Sequence, residues 1–334
     1  MKKQLPLSYP QLISTDNLLA AWQEFVRGKR GKIDVQAFSR DLMDNIRLLH
    51  NELESQTYQH GGYFPFTIAD PKPRRIHKAA VRDRLVHHAV YRRLYPFFDR
   101  TFIPDSYSCR RDKGTHKALN RFDQMANQVS RNHTKTCWVL KLDIRQFFAS
   151  IDQKVLLNIL AGYIPDKAIR QLLGTIIESF ATVPGRGLPL GNLTSQLFVN
   201  VYMNEFDQFA KHQLKARHYL RYADDFVLLS QDRRWLEAQL PVIQTFLQQE
   251  LKLAIHADKV VLQTIASGVD YLGWVHFPYH RVLRTTTKRR MLRNLRRTPE
   301  PATFQSYLGL LGHGATLSLQ EEVQNLYWLL QAKQ

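Results

Sequence analysis

The stretch His218-Tyr219-Leu220-Arg221-Tyr222-Ala223-Asp224-Asp225-Phe226-Val227-Leu228-Leu229-Ser230 decides the fold. An aromatic and apolar run enters two adjacent carboxylates, and a second apolar run leaves them. Both flanks have the aromatic and β-branched character of short strands bounded by polar residues. Asp is disfavoured inside strands and tolerated in turns, so Asp224 and Asp225 are expected at the turn of a hairpin. At a turn both side chains can reach one site, whereas inside a strand they would face opposite ways. Two carboxylates held that close repel unless a cation neutralises them. Mg²⁺, a hard ion that takes one or two protein carboxylates plus substrate phosphates, suits that role. The competing reading is a solvated Asp-Asp turn without chemistry.

Composition narrows the partners. The 334 residues are 44% apolar and 23% charged, which is globular and enough for two lobes or one large α/β domain with an appendage. Lys and Arg number 47 against 29 Asp and Glu, a formal charge of +18, and the expected polyanion is nucleic acid. An anionic membrane surface is the rival, but no basic amphipathic helix with one clean apolar face stands out. Cys109 and Cys137 make neither a disulfide framework nor a Cys-based zinc site, which fits a reducing compartment. No apolar core suited to a signal peptide follows Met1-Lys2-Lys3-Gln4-Leu5, and no apolar run approaches the ~20 residues of a membrane helix. The expectation is a soluble, cytoplasmic, polyanion-binding protein.

Along the chain, apolar spacing predicts helices over Thr15–Arg27, Asp34–Gln56, Val81–Phe98, Thr115–Arg131, Asp152–Leu160, Asp166–Phe180, Leu193–Lys215 and Arg233–Leu251. Tyr58–Ile68 reads as a strand or loop, and Asp70–Lys78 as a Pro-bracketed basic hairpin. Arg82, Arg84, His87, His88, Arg92 and Arg93 make the helix from Val81 basic, which suits phosphate contacts, with a solvated face as the alternative. Cys137–Ile144 is a clear strand; Lys259–Gln263 and Gly268–Val275 read as short strands. Pro184–Asn192 is a Pro/Gly loop whose glycines permit close approach of backbone to a ligand. From Thr285 the chain crowds with Lys288, Arg289, Arg290, Arg293, Arg296 and Arg297, which suggests a basic helical module from residue 285 to 334. Residues 1–60 form a helical extension and 61–284 the central domain.

Asp143 closes the strand Cys137–Ile144. One reading makes it an N-cap for the helix that follows. The other brings it to Asp224 and Asp225, where three carboxylates could hold two Mg²⁺ ions for phosphoryl transfer. Here the chain resembles the reverse transcriptases, from about Asp70 to Trp274. Tyr222-Ala223-Asp224-Asp225 matches the family's YxDD box, Lys141–Asp152 the palm segment bearing the first aspartate, and Gly187–Asn200 the loop and helix that meet nucleotide and template. Gly268–Trp274 is similar to the primer grip and Pro71–Arg84 to a finger segment of bacterial members.

The resemblance implies a right-hand α+β fold: fingers, a palm on an antiparallel sheet, and a short helical thumb. It implies an RNA-directed DNA polymerase in which Asp143, Asp224 and Asp225 are catalytic and, with Ile144, bind two Mg²⁺ ions, for which Mn²⁺ can substitute. Lys72, Arg74, Phe148, Leu190, Gly191, Ser195, Gln196 and Lys259 would meet the nucleotide. Phe148 stands where relatives block a ribose 2′-hydroxyl, with core packing beside Phe147 as the alternative. Tyr222, Tyr271, Leu272, Gly273, Lys288, Arg289 and Arg293 would meet nucleic acid. Partners would be template RNA, the cDNA duplex and dNTPs, and no membrane.

Leu190-Gly191 and Ser195-Gln196 depart from the Gln-Gly and Ser-Pro of many bacterial members. They resemble the reverse transcriptases of diversity-generating retroelements, which copy RNA with errors at adenines, beside a small basic oligomeric accessory protein. Ser306-Tyr307-Leu308-Gly309 and His313-Gly314 are also similar to that group. The rivals are a group II intron protein, expected to continue into a maturase region; a retron enzyme, expected to carry Val-Thr-Gly; a phage-defence reverse transcriptase; and, from another class, a catalytically silent RNA-binding scaffold.

Overall fold

Amphipathic spacing builds a first unit that is almost wholly helical. The computed structural model describes residues 3–69 and 73–332. Among them the chain forms two compact units, Met1–Cys109 with Ile144–Lys215 and Pro241–His256, and Arg110–Asp143 with Ala216–Leu240 and Ala257–Gln334. The first begins with α1 (Tyr9–Ile13), α2 (Thr15–Phe25), α3 (Ile33–Arg40), α4 (Leu42–Glu54) and α5 (Val81–Asp99). After α6 (Thr115–Ser130), which belongs to the second unit, it resumes with α7 (Phe147–Ser150), α8 (Gln153–Ala161), α9 (Lys167–Glu178) and α10 (Leu193–His212). Helix α11 (Arg233–Gln249) passes from the second unit into the first. The second unit ends with α12 (Thr285–Arg297), α13 (Pro301–Leu311) and α14 (Leu317–Gln331).

Local chemistry sets several helix starts. Ser14 accepts the Asn17 amide at the head of α2, and Asp152 and Asp166 accept the N3 amides of α8 and α9. Leu12, Leu18, Phe25, Leu49, Leu85, Leu94 and Phe98 form a core at 1% exposure or less, each contributing roughly 1.5–3 kcal/mol by burial. The single helix expected over Asp34–Gln56 is two. Asp41 leaves the helical region (φ −115°, ψ 40°) between α3 and α4, and the Asn45 amide caps the Phe38 carbonyl at 3.0 Å across the break.

The strands β1 (Tyr63–Ile68) and β2 (Arg74–Ala79) pair antiparallel from Tyr63↔Ala79 to Ile68↔Arg74. Lys72, with Asp70 and Pro71, lies outside the described residues. The basic face expected on α5 is largely consumed within the unit. Arg82 pairs with Glu52 and Asp83, Arg84 with Asp34 at 2.5 Å and Arg92 with Glu24 at 2.9 Å, while His87 is buried. A charge already matched at close range has little left for a phosphate, and a buried ring cannot reach one, so the phosphate-binding expectation fails for these four.

The second unit is built on strands. β3 (Trp138–Asp143), β4 (Tyr219–Tyr222), β5 (Asp225–Ser230) and β6 (Val261–Thr264) form one antiparallel sheet in the order β4-β5-β3-β6. Val139, Leu140, Leu142 and Phe226 to Leu229 are all buried, so the two central strands read as near-continuous apolar runs. β7 (Val269–Tyr271), β8 (Trp274–His276) and β9 (Arg281–Leu283) form a second antiparallel sheet. The strand expected over Gly268–Val275 is therefore a hairpin. Leu272 (φ 48°) and Gly273 (φ 88°) both take positive φ between the paired Tyr271 and Trp274, the signature of a two-residue I′ connection. Trp274, Met291, Leu295, Leu311 and Val323 bury together where α12, α13 and α14 pack. Among the described residues no helix is long and apolar enough to cross a membrane.

Candidate active site

The acidic cluster forms at one end of the four-stranded sheet, through strand register. Asp143, the last residue of β3, lies directly opposite Asp225, the first residue of β5. Directly paired residues of antiparallel strands point to the same face, with Cβ atoms about 4.5–5.5 Å apart. Asp225 is thus a strand residue and not, as expected, part of the turn. The turn is Ala223-Asp224 alone, since Tyr222 pairs with Asp225. Ala223 takes φ 55°, and the fully buried Arg221 donates Nη1 to the Ala223 carbonyl at 3.1 Å, fixing the tip that carries Asp224. The N-cap reading of Asp143 also fails. The next helix, α7, begins after Gln146, and no side chain caps it.

Two lysines attend the carboxylates. Lys259, in a short 3₁₀ turn before β6, donates Nζ to Asp143 Oδ1 at 2.7 Å. Lys141 lies two residues before Asp143 on the same face of β3; its Nζ is 3.9 Å from Asp225 Oδ1 and donates to the Asp270 carbonyl on β7 at 2.8 Å. Burial pushes the Asp225 carboxyl up to about 6; Lys141 opposes this, Asp143 and Asp224 add to it, and Lys259 opposes it. Among the described residues no three His, Cys, Asp or Glu side chains are already gathered as a metal cage. What exists is a facing pair of carboxylates with a third in electrostatic range, part-neutralised by ammonium groups. That fits a hard divalent ion completing its shell from substrate phosphates rather than from protein alone.

Tyr222 sits opposite Asp225, and its hydroxyl accepts from Thr115 Oγ1 at 3.0 Å. Tyr271 is buried on β7, with Leu272 and Gly273 forming the turn after it. Lys288 pairs with Glu322 at 2.8 Å, whereas Arg289 and Arg293 are exposed on the face of α12 opposite Met291, Leu292 and Leu295.

The remainder belong to the first unit. Ile144 is buried and bridges to Ile255. Phe148 is half-buried beside the buried Phe147, with ring centroids 5.6 Å apart, so the core-packing alternative applies to Phe147 more than to Phe148. The Leu188 amide binds the Phe148 carbonyl at 2.8 Å, and Gln153 Nε2 reaches the Gly187 carbonyl at 3.0 Å, which docks the Pro/Gly loop beside α7. The loop also joins β2: the His77 amide donates to the Leu190 carbonyl and Asn192 Nδ2 to the His77 carbonyl, both at 2.9 Å. Gly191 takes φ 101°, and a Cβ there would lie 2.5 Å from Ile76 Cγ2, so glycine is required twice over. Ser195 is buried and Gln196 half-buried on α10, while Arg74 is exposed at the start of β2. Lys78, near the end of β2, is paired with Asp34 at 2.6 Å.

Sequence reasoning missed Lys141, Arg221 and Thr115. A lysine two residues before a strand-ending aspartate shares its face, and that spacing was the available signal for Lys141. Nothing in the sequence marked Thr115 or the burial of Arg221.

The sequence profile described as reverse transcriptase (RNA-dependent DNA polymerase) matches residues 69–276. Protein YkfC of Escherichia coli (strain K12) is 25% identical over 285 residues, covering 73% of this chain and 72% of that protein. The group II intron-encoded protein LtrA of Lactococcus lactis subsp. cremoris is 21% identical over 351 residues, covering 80% of this chain and 56% of its own length.

Proposed function

Because the chain belongs to the reverse transcriptase family and is an RNA-directed DNA polymerase, we propose that Asp143, Asp224 and Asp225 form its catalytic centre. The observation that carries this reading is the register of Asp143 against Asp225, with Asp224 on the adjoining turn. In the reaction a primer 3′-hydroxyl attacks the α-phosphate of a dNTP and pyrophosphate leaves. These aspartates, with Ile144 beside them, would hold two divalent ions, for which Mg²⁺ is the natural choice. Such ions, when bound, make the hydroxyl more acidic and offset charge at the phosphate. Lys141 holds Asp225 toward β7, and Lys259 holds the Asp143 carboxylate through its ammonium hydrogen bond. Arg74, Phe148, Leu190, Gly191, Ser195 and Gln196 would shape the nucleotide pocket, and Arg289 and Arg293 would track the backbone of the template–primer duplex without reading sequence. Primer extension on an RNA template tests the reading: the wild type extends and Asp224→Ala/Asp225→Ala does not. Equal extension by both would reject these aspartates as the catalytic centre, and extension by neither would leave a catalytically silent RNA-binding scaffold.

We place the enzyme in a diversity-generating retroelement, working in the cytoplasm with a small basic accessory protein. Leu190 supports this, since an apolar side chain there removes a hydrogen bond that would check pairing at the incoming nucleotide. Leu190→Gln is expected to lower misincorporation opposite template adenine about tenfold or more; an unaltered error spectrum rejects the subclass. The likeness to LtrA favours a second reading, in which the template is an intron RNA. Efficient copying of a structured intron RNA, with ordinary fidelity at adenine, would select it.

A further inference from the structure

A buried run of hydrogen bonds in the first unit has no part in the chemistry above. His87 of α5 is 2% exposed; its Nε2 lies 2.9 Å from His60 Nε2 and its Nδ1 lies 2.8 Å from Thr194 Oγ1. His60 Nδ1 is 2.6 Å from the Gly61 carbonyl. With both rings neutral, simple accounting fixes every proton. A carbonyl only accepts, so His60 Nδ1 carries a hydrogen, and its Nε2 in the neutral ring is a lone pair. The proton between the rings must then sit on His87 Nε2. That leaves His87 Nδ1 as an acceptor, and the Thr194 hydroxyl must donate to it.

The surrounding groups do not disturb this order. Ser179 gives its own proton to the Ile176 carbonyl at 2.7 Å, so the Tyr63 hydroxyl donates to Ser179 at 2.8 Å and not to His60, 3.4 Å away. Asp83, 4.0 Å from His60 Nδ1, accepts from Tyr58, Arg82 and the Gly61 amide. Burial, with His60 and His88 close by, pushes His87 down to about 3, so its ring is neutral near pH 7. Reversing the run would take a second proton on His60.

We propose that His60 and His87 are positioning residues: their fixed tautomers hold Thr194, and with it the first turn of α10 that carries Ser195 and Gln196. The role rests on the nucleotide reading given to those two side chains. Thr194 lies two residues after Asn192, the end of the loop that β2 binds through His77, so hairpin, α5 and α10 are fastened at one place.

Long-range ¹H–¹⁵N spectra of the full chain, labelled at histidine, give the tautomers directly at pH 7. We expect neutral His60 protonated at Nδ1 and neutral His87 protonated at Nε2; a His60 imidazolium, or His87 protonated at Nδ1, overturns the network. In primer extension, Thr194→Val is expected to raise KM for dNTP about tenfold with kcat within about twofold, and Thr194→Ser to restore it. Equal behaviour of the two variants, or a loss in kcat alone, overturns the positioning role. If the wild type extends no primer, that role falls with the polymerase reading, while the tautomers still decide whether the network exists.

Discussion

Asp225 carries a conflict that is useful only when a cation is near. Its carboxyl ionises in an unfolded chain near 3.8 and in the folded protein near 6, so between those values the folded state binds the extra proton. Stability conferred by the protonated form is therefore present below about pH 4 and is lost as pH rises through 6. Asparagine never ionises, so in buffer free of divalent ions Asp225→Asn should exceed the wild type in unfolding free energy by ~1–3 kcal/mol above pH 6. The gap should close near pH 4; chemical denaturation at both pH values measures it. His87 runs the opposite way. Its neutral ring contributes stability that is full above about pH 6.5 and declines as pH falls toward 3. Denaturation midpoints should drop over that interval, and His87→Gln should flatten the slope. At this scale Asp143, Asp224 and Asp225 were legible because acids stand out in apolar strands. Lys141 and His87 were not, because only folding shows which face a basic side chain shares or what surrounds it.

Among elements, the Pro/Gly loop and α12 lend themselves to opposite tests. Gly191→Ala would force a side chain into φ 101° and against Ile76. The expected cost is ~1–3 kcal/mol in loop geometry, read as a rise in KM for dNTP of roughly 5- to 150-fold, while Gly174→Ala, on α9 with ordinary helical backbone and open space, should do much less. On α12, Arg289 and Arg293 are exposed and away from the packed face, so Arg289→Glu/Arg293→Glu should leave the melting temperature within about 2 °C. The slope of log affinity for a primer–template duplex against log salt should become shallower by about two. Most helices and the β3, β4 and β5 strands could be read from spacing. The break at Asp41 and the hairpin inside Gly268–Val275 could not, because each depends on a single backbone conformation away from the surrounding pattern.

For the whole molecule, the charge of +18 pointed correctly to a nucleic-acid partner, but not to the residues that serve it. Arg82, Arg84 and Arg92 look like phosphate ligands in sequence and are spent on Glu52, Asp34 and Glu24. Net charge is a sum, and pairing is decided by geometry. The polymerase account comes down to whether the facing carboxylates of β3 and β5 capture divalent ions once substrate is present. Mn²⁺ binding followed by electron paramagnetic resonance, with an RNA template, a primer lacking its 3′-hydroxyl and a matched dNTP, measures this directly. The wild type should bind two ions per chain at micromolar free Mn²⁺, and Asp143→Asn and Asp225→Asn should each lose at least one. Undiminished Mn²⁺ binding in both variants would contradict the assignment of these residues.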